Sequence, residues 1–306
     1  MNDLMKSSSS NKRARYLAIV EALFTTLIWS STFIIVKLGL ETMGPLTIAG
    51  FRYMIGGLVL LPVVLLRKRT NTPISKSIWI RLILIGVSSY SIANGALFWG
   101  LKFVPATTGS FMLSLVPILV LAGGALFLQE KPTRWQVLGV SISFLGSGLF
   151  FSTGLLPGEP RGMFIISLGL FGFMAFSLLG RSIARDRQLD PLRLTTLPLL
   201  IGGVLSFFLA IIVEGIPHLS GASIRIVFWL AVINTALGYL LYNHALQELT
   251  ALEVNMILNL SPFFTALLGW IFLGERIALI QLAGMLIMIT GVILVQWTFR
   301  SNPEVN

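Results

Sequence analysis

The chain has 306 residues, of which 55% are hydrophobic and only 11% are charged, and its mean hydropathy is +0.88. Soluble domains carry about 25% charged residues, so this composition excludes a soluble globular protein and indicates a polytopic membrane protein. The net charge of +10 does not indicate nucleic-acid binding, because the basic residues cluster in short loops between apolar segments. The absence of cysteine excludes disulfides, thiolate nucleophiles and cysteine metal sites.

Ten apolar segments are long enough to cross a membrane, since a spanning helix needs about 20 residues. In chain order they are 17–37, 44–66, 78–100, 104–127, 134–152, 162–181, 192–213, 224–245, 250–273 and 279–298. Backbone groups inside lipid must be paired within their own segment, so the spans are predicted to be helices. The predicted fold class is therefore an all-α polytopic membrane protein with ten transmembrane helices.

The positions of lysine and arginine predict how the chain is oriented. With the N-terminus placed inside, most of the 22 basic residues lie at cytoplasmic ends of the spans. The apolar run 17–37 is too long for the hydrophobic region of a signal peptide, and no small-residue cleavage site follows it. We therefore expect 1–15 and 301–306 to be cytoplasmic tails.

An internal repeat organises the chain. The stretch FLQEKPTRWQVLG at 127–139 returns as FLGERIALIQLAG at 272–284, a shift of 145 residues. The same shift pairs scarce residues, namely Pro117 with Pro262, Glu130 with Glu275 and Gln136 with Gln281. A bias towards leucine and glycine does not explain matches of this kind, so we predict a repeat.

The repeat divides the chain into two five-helix units, predicted at 16–157 and 158–300. Five is an odd number, so the second unit enters the membrane from the opposite side and is inverted relative to the first. Inverted repeats are typical of secondary transporters, in which one half rocks against the other around a site near the midplane.

Three local features resemble the EamA-type members of the drug/metabolite transporter superfamily. They are ALFTTLIWSSTFIIVKLGLE at 22–41, GPLTIAGFRY at 44–53 with its weak echo DPLRLTTLPL at 190–199, and the two matching stretches at 127–139 and 272–284. The resemblance implies a ten-helix carrier that exports amino acids and other small metabolites from a bacterial cytoplasm, and so a multi-pass protein of a bacterial-type inner membrane. Substrate does not follow from it, and Arg52 of GPLTIAGFRY has no equivalent in the second repeat.

Two polar ladders predict a substrate cavity. Ser110 and Ser114 are four residues apart and precede Pro117, while Asn255 and Asn259 have the same spacing before Pro262. Each pair forms a stripe on one helix face, and each proline is predicted to kink its helix. The alternative interpretation is that these small polar residues join neighbouring helices.

Further candidate substrate-binding residues lie on other helices, namely Trp29, Ser31, Tyr90, Asn94, Tyr239 and Asn243. Aromatic walls with a few amides suit a zwitterionic or aromatic solute. For Trp29 plain packing is the alternative, and for the tyrosines the alternative is anchoring at the membrane interface. Tyr242, close to a helix end, fits the interfacial role better.

Four residues are candidates for coupling or structural charges: Glu21, Arg52, Glu253 and His244. Arg52 lies well inside a span and needs a partner, either Glu41, loop and backbone carbonyls, or a substrate carboxylate. Glu21 resembles the first-helix glutamate of the related small multidrug exporters, although its position near a helix start also allows simple stabilisation by the helix dipole. A histidine such as His244 can titrate near neutral pH, but a lone histidine at this position more often simply forms hydrogen bonds with its neighbours.

Glycines seven residues apart, at 139 and 146 and again at 284 and 291, allow close helix packing. We expect them to serve the scaffold or a dimer surface, in a protein that is a monomer or a weak dimer.

Enzyme chemistry is not expected. No phosphate loop or HExxH motif is present, and all aspartates lie outside the spans. We therefore predict no cofactor and no metal, with a small-molecule substrate, the lipid bilayer and protons as candidate partners. The predicted function is export of small metabolites, first among them amino acids, by alternating access. The alternatives are a sugar-phosphate, nucleotide-sugar or cationic-drug carrier, or a passive facilitator.

Overall fold

The computed structural model describes residues 2–66, 74–104, 106–152, 158–187, 189–217, 219–264, 267 and 278–301. Its helices are α1 (Asn2–Gly39), α2 (Pro45–Leu66), α3 (Lys76–Gly100), α4 (Ala106–Leu113), α5 (Val116–Phe127), α6 (Arg134–Phe151), α7 (Pro160–Arg185), α8 (Pro191–Glu214), α9 (Gly221–Ala245), α10 (Ala251–Leu258) and α11 (Leu279–Ser301). The described residues contain no strand, as expected for a chain whose backbone must be paired inside lipid.

Seven helices in the described part of the chain are long and apolar enough to cross a membrane, so the protein is a multi-pass membrane protein. These spans are Arg13–Val36, Pro45–Leu66, Lys76–Gly100, Pro160–Arg185, Pro191–Glu214, Gly221–Ala245 and Leu279–Gln296. The predicted span 104–127 is divided into α4 and α5. In the predicted span 250–273, residues 265, 266 and 268–273 lie outside the described part of the chain, and so does Glu275, which follows this span. The number ten is therefore not established by helix length.

Polar side chains lie inside the bundle and large apolar side chains face outward. Thr25, Thr26 and Ser30 of α1 are completely buried, whereas Leu66 and Ile212 are about four-fifths exposed. A soluble protein would have the reverse arrangement, and lipid is the solvent that suits an apolar exterior.

Both proline ladders coincide with a helix break. Helix α4 ends at Leu113, α5 begins at Val116, and Pro117 lies in the first turn of α5. Helix α10 ends at Leu258, and Pro262 lies in the helical turn 261–264. Proline lacks the backbone donor that would continue the preceding turn, which explains why each helix stops at this distance before it.

Two π-helical segments occur at nearly matching positions, Gly86–Ala93 in α3 and Leu230–Leu237 in α9. Their starts are 144 residues apart, one less than the sequence shift. Each segment widens its helix and changes which side chains share a face with those beyond it. The amino-acid pattern does not predict these segments.

The four glycines of the sequence pattern bring α6 and α11 together. A Cβ added to Gly139 would lie 2.7 Å from the carbonyl oxygen of Gly291, and one on Gly146 would lie 2.8 Å from that of Gly284. Residue numbers rise along one helix as they fall along the other, so the pair is antiparallel. The glycines serve the scaffold within the chain, and this close contact leaves them unavailable as a dimer surface.

The matching glutamines cap matching helices. Gln136 accepts from the backbone of Thr133 at 2.9 Å, and Thr133 Oγ1 accepts from Gln136 N at 3.2 Å, a capping box that starts α6. At the start of α11, Gln281 Oε1 accepts from Ala278 N at 3.0 Å. Unpaired N–H groups at a helix start are costly in an apolar environment, which gives these glutamines a structural reason.

Candidate substrate cavity

A cavity of about 150 Å³ lies between the helices, at the level of the two helix breaks. Its polar lining consists of Thr26, Thr32, Arg52, Asn94, Ser114, Ser177, Asn255, Asn259 and Ser261. Its aromatic lining consists of Trp29, Phe98, Phe173, Phe176, Tyr239 and Tyr242. Helices α1, α2, α3, α5, α7, α9 and α10 therefore all contribute, and both halves of the chain form the wall.

Most of the residues predicted from sequence meet at this cavity. Those that line it are Trp29, Arg52, Asn94, Ser114, Pro117, Tyr239, Asn255, Asn259 and Pro262. Ser110 lies in α4, but its side chain is outside the described part of the structure. Ser31, Tyr90 and Asn243 are absent from the described lining, and so are Glu21, Glu253 and His244.

The side chains of Ser31, Asn243 and Tyr90 lie one layer behind the residues that line the cavity. Ser31 Oγ accepts from Asn234 Nδ2 at 3.0 Å. Asn243 Nδ2 donates to Thr195 Oγ1 at 2.9 Å. The ring of Tyr90 is fully buried, and its centroid lies 4.9 Å from that of Tyr239. In this conformation these predicted binding residues support the wall.

An aromatic cluster forms one side of the cavity. The indole of Trp29 lies 4.8 Å from the ring of Tyr239 and 5.6 Å from that of Tyr242, measured between centroids. Phe176 stacks on Tyr242 at 5.0 Å. The expected interfacial role of Tyr242 is wrong, because this side chain is fully buried and lines the cavity. A flat apolar group of a substrate would pack against these rings.

Trp29 is held in place by α9. Its Nε1 donates to the carbonyl of Asn234 at 2.9 Å, inside the π-helical segment Leu230–Leu237. A Cβ added to Gly238 would lie only 2.6 Å from Nε1. Glycine at this position therefore leaves room for the indole. Packing against Gly238 and the hydrogen bond to Asn234 together hold Trp29 in place.

Serine and asparagine side chains connect the helices below the aromatic cluster. The hydroxyl of Ser177 accepts from Asn255 Nδ2 at 2.9 Å and from the hydroxyl of Tyr242 at 3.2 Å. Asn259 Nδ2 donates to Ser143 Oγ at 3.1 Å. The polar residues therefore join helices, as the alternative interpretation held, and line the cavity as well.

Arg52 is the one charged residue among the described lining residues, and it is 2% exposed. Its Nε donates to Thr235 Oγ1 at 2.6 Å and its Nη2 donates to the carbonyl of Asn234 at 3.3 Å. Among the described residues no carboxylate lies within ion-pair distance, and Glu41, the sequence candidate, is exposed. Arg52 is therefore held by a threonine hydroxyl and a backbone carbonyl, and a backbone carbonyl was one of the partners that the sequence suggested.

A layer of charged pairs closes the end of the bundle at which the apolar part of α1 begins. His244 Nδ1 lies 2.6 Å from Glu21 Oε2, and Glu253 pairs with Arg15 while it also caps α10 together with Thr250. Glu253 is fully buried. Glu21, Glu253 and His244 therefore all have structural partners at this end, and none of the three is among the described lining residues.

Arg181 completes the charged layer from α7. Its Nη1 donates to the carbonyl of Leu246 at 2.8 Å, and its Nε lies 3.7 Å from Glu130 Oε1. Burial raises the pKa of Glu130, and the nearby Arg181 guanidinium opposes that rise. Glu130, the acidic residue of the repeated stretch, thus fastens the loop after α5 to α7.

Several lining residues were missed by the sequence. Ser261 precedes Pro262 directly, so the proline could have identified it, and Thr26 lies one turn before Ser30 on the polar face of α1. Phe98 carries no such signal, because phenylalanine is common throughout the apolar segments. Among the described residues, no group of histidine, aspartate and glutamate side chains could hold a metal ion.

The sequence is similar to bacterial transporters along almost its whole length. It is 24% identical to the uncharacterized transporter YyaM of Bacillus subtilis, over 88% of this chain and 90% of that one. It is 25% identical to the uncharacterized inner membrane transporter YedA of Escherichia coli K12, over 94% and 95% of the two chains. It is also 25% identical to a protein of Salmonella typhimurium named "Probable amino-acid metabolite efflux pump", over 91% and 94%.

The fold is also found among solved structures. One crystal structure matches with a TM-score of 0.78 over 92% of this chain and 98% of that chain, at 15% sequence identity, a likeness that concerns the fold alone. The model of the EamA-like transporter family matches twice, at residues 16–152 and 160–297. These two matches cover nearly all of the chain, which therefore belongs to the EamA-like transporter family.

Proposed function

We propose that the protein is a secondary exporter of small metabolites of the amino-acid class, acting by alternating access of two inverted repeats. It resides in a bacterial-type inner membrane with both termini in the cytoplasm, and ten helices cross the bilayer. The observation that carries the proposal is the cavity between the two halves, with a broken helix from each half at its wall.

The inverted arrangement is supported by positions that recur along the chain. The helix breaks after Leu113 and Leu258 are 145 residues apart, and the π-helical segments are offset by 144. Gly139 contacts Gly291 while its equivalent Gly284 contacts Gly146, so the repeat shift exchanges the two partners. A contact that maps onto itself in this way is what a two-fold axis between inverted halves produces.

Alternating access assigns a role to each end of the cavity. The lining extends to Val36 and Leu101, close to the ends of α1 and α3, while the charged layer closes the opposite end. With the proposed topology this conformation faces outward. To face inward, the pairs of the charged layer separate as the other end closes, and the helix breaks provide the flexible points.

The size and lining of the cavity favour a small metabolite over the alternatives. An engineered apolar cavity of about 150 Å³ holds benzene, whereas drug-sized ligands occupy about 300–1,000 Å³. A sugar-phosphate or nucleotide-sugar site would contain several basic residues, and the described lining contains one. The name of the Salmonella relative, an amino-acid metabolite efflux pump, agrees with the proposed class.

Counterflow in proteoliposomes tests this function. Vesicles are loaded with a mixed amino-acid panel, and uptake of trace labelled amino acids is followed with and without a pH gradient. A carrier gives saturable accumulation that Asn259→Ala reduces strongly, while Ser141→Ala on the exposed face of α6 leaves it unchanged. A passive facilitator gives no counterflow, and that result contradicts the proposal. An effect of the pH gradient would indicate protons as the coupling ion.

A further inference from the structure

Buried polar atoms without a partner gather beside Arg52. In the described part of the structure, Arg52 Nη1 and the Tyr90 hydroxyl have no hydrogen-bond partner, and the hydroxyls of Tyr53 and Ser89 have only a weak one, in Tyr239. Arg52 is 2% exposed and the other three residues are fully buried. In folded proteins more than nine in ten buried polar groups are paired, so a cluster of exceptions indicates a missing partner.

These atoms belong to one locality. The rings of Tyr53 and Tyr90 lie 4.9 Å apart, and the Arg52 guanidinium carbon is 5.2 Å from the centre of the Tyr53 ring. The ring of Tyr239 lies 4.9 Å from that of Tyr90 and 6.4 Å from that of Tyr53. Tyr239 also lines the cavity, so the cluster is continuous with the cavity wall.

The missing partner is best supplied by an anion. Water could satisfy the hydroxyls, but water does not neutralise the guanidinium, whose described partners are a hydroxyl and a backbone carbonyl. A carboxylate accepts hydrogen bonds from arginine and from hydroxyls alike and carries the compensating charge. No acidic residue is found in the described lining, so no carboxylate there would neutralise an isolated cation.

We propose that Arg52 and the tyrosine hydroxyls beside it bind the carboxylate of the transported substrate. The inference rests on the proposed function and narrows it to small carboxylic acids with an apolar or aromatic side chain. The carboxylate meets Arg52 Nη1, and the side chain packs on the ring cluster of Trp29, Phe176 and Tyr242. Cationic drugs, which lack the carboxylate, are excluded from the substrate class.

Geometry explains why arginine is needed. Nε and Nη2 are fixed by Thr235 and Asn234 of the π-helical segment, which leaves Nη1 as a positioned donor. Lysine has a single ammonium group and cannot keep both contacts while it presents a further donor in a fixed direction. Nη1 is buried here, so the proposal requires this atom to become accessible from the cavity, and the Phe98 ring lines the cavity 5.9 Å from the guanidinium carbon.

A comparison of four compounds of similar size tests the inference without any variant. The purified protein is heated with L-phenylalanine, 3-phenylpropanoate, phenethylamine or phenylalaninamide, and the shift of the unfolding midpoint reports binding. We expect shifts with the two carboxylates and none with the amine or the amide. Equal shifts with all four, shifts with the amine and amide alone, or no shift at all would overturn the inference.

Transport is read separately, so that the two proposals fail in different ways. In counterflow the two carboxylates should inhibit exchange of a labelled amino acid, and the amine should not. If phenethylamine inhibits the exchange, the protein is still a carrier, but the proposed carboxylate site is wrong. Absence of exchange for every amino acid contradicts the proposed function, while the thermal shifts still decide whether carboxylates bind.

Variants then locate the site. Arg52→Gln and Arg52→Lys should each weaken carboxylate binding by about tenfold or more, since a charge-assisted hydrogen bond is lost. Tyr90→Phe removes one hydroxyl and should weaken it by about threefold, with the fold intact. Arg161→Gln and Tyr16→Phe are matched controls on exposed side chains. Unchanged affinity in both Arg52→Lys and Tyr90→Phe would overturn the assignment.

Discussion

Asn255 of α10 donates a hydrogen bond from its side-chain amide to the hydroxyl of Ser177 of α7, with 2.9 Å between Nδ2 and Oγ. The hydroxyl of Tyr242 donates to the same oxygen atom at 3.2 Å. One serine thus holds three helices of the second half together at the floor of the cavity.

Ser177→Ala removes the acceptor shared by Asn255 and Tyr242. Two buried donors lose their partner, which costs about 1–3 kcal/mol of folding free energy, and the wall of the cavity loosens. We expect a lower midpoint of thermal unfolding in detergent and weaker substrate affinity in counterflow. Ser141→Ala on α6, where the hydroxyl is exposed, is the control. If the two variants unfold at the same temperature, the role given to Ser177 is wrong.

Gly238→Ala tests the packing of Trp29. The added Cβ would lie 2.6 Å from Nε1, so the indole has to leave its place against Asn234 and Tyr239. Overpacking of this kind costs about 1–3 kcal/mol, although alanine favours the helix itself. We expect a well-folded protein with strongly reduced counterflow, measured beside its gel-filtration profile. Wild-type transport by this variant would show that Trp29 does not form the site.

Gly146→Ala tests the contact between α6 and α11. Its Cβ would lie 2.6 Å from the backbone nitrogen of Met288, which cannot move without shifting the helix. We expect a loss of about 1–3 kcal/mol in stability, seen as a lower unfolding midpoint. Gly148→Ala on the same helix is the control, because nothing lies within 4 Å of its added Cβ. Equal midpoints for the two alanine variants would refute the close contact.

Glu130→Gln tests the charged layer through pH. Burial raises the pKa of Glu130 in the folded state, with Arg181 opposing, so ionisation is less favourable there than in the unfolded chain. The stabilising contribution is therefore fully present below the ordinary carboxyl pKa and is lost as pH rises through the raised folded value. Wild type should lose stability relative to Glu130→Gln as pH increases over that window, measured by thermal unfolding. A difference that stays constant, or that changes in the opposite direction, contradicts the raised pKa.

Much of the cavity could be predicted because the repeat and proline chemistry act locally. Proline cannot donate to the preceding turn, so Pro262 fixes where α10 ends and where Asn255 and Asn259 lie relative to the break. The same reasoning applies to Ser114 before Pro117. Lipid also restricts polar side chains to the interior, which is why the candidates Asn94 and Tyr239 lie at the cavity wall.

The differences between the expected and the observed cavity lining come from helix geometry that the sequence does not show. Tyr90 and Asn94 share a face only if the helix is regular, but Tyr90 lies inside the π-helical segment Gly86–Ala93. In this conformation its buried ring packs against Tyr53 and Tyr239, just behind the wall that Asn94 lines. On α9 the cavity face follows a three-residue spacing, so Tyr239 is joined by Tyr242 and not by Asn243. The partner of Arg52 depends on a contact between distant helices, which one sequence cannot reveal.

The central claim is that the two halves alternately open and close the ends of one cavity, and double electron–electron resonance tests it most directly. The chain has no cysteine, so pairs of spin labels can be introduced at chosen sites. One pair, Lys131→Cys with Glu248→Cys, spans the charged end, and another, Lys102→Cys with Arg225→Cys, spans the opposite end. On addition of a transported amino acid, we expect the first distance to lengthen while the second shortens. Distances that stay fixed, or that change in the same direction at both ends, would contradict alternating access.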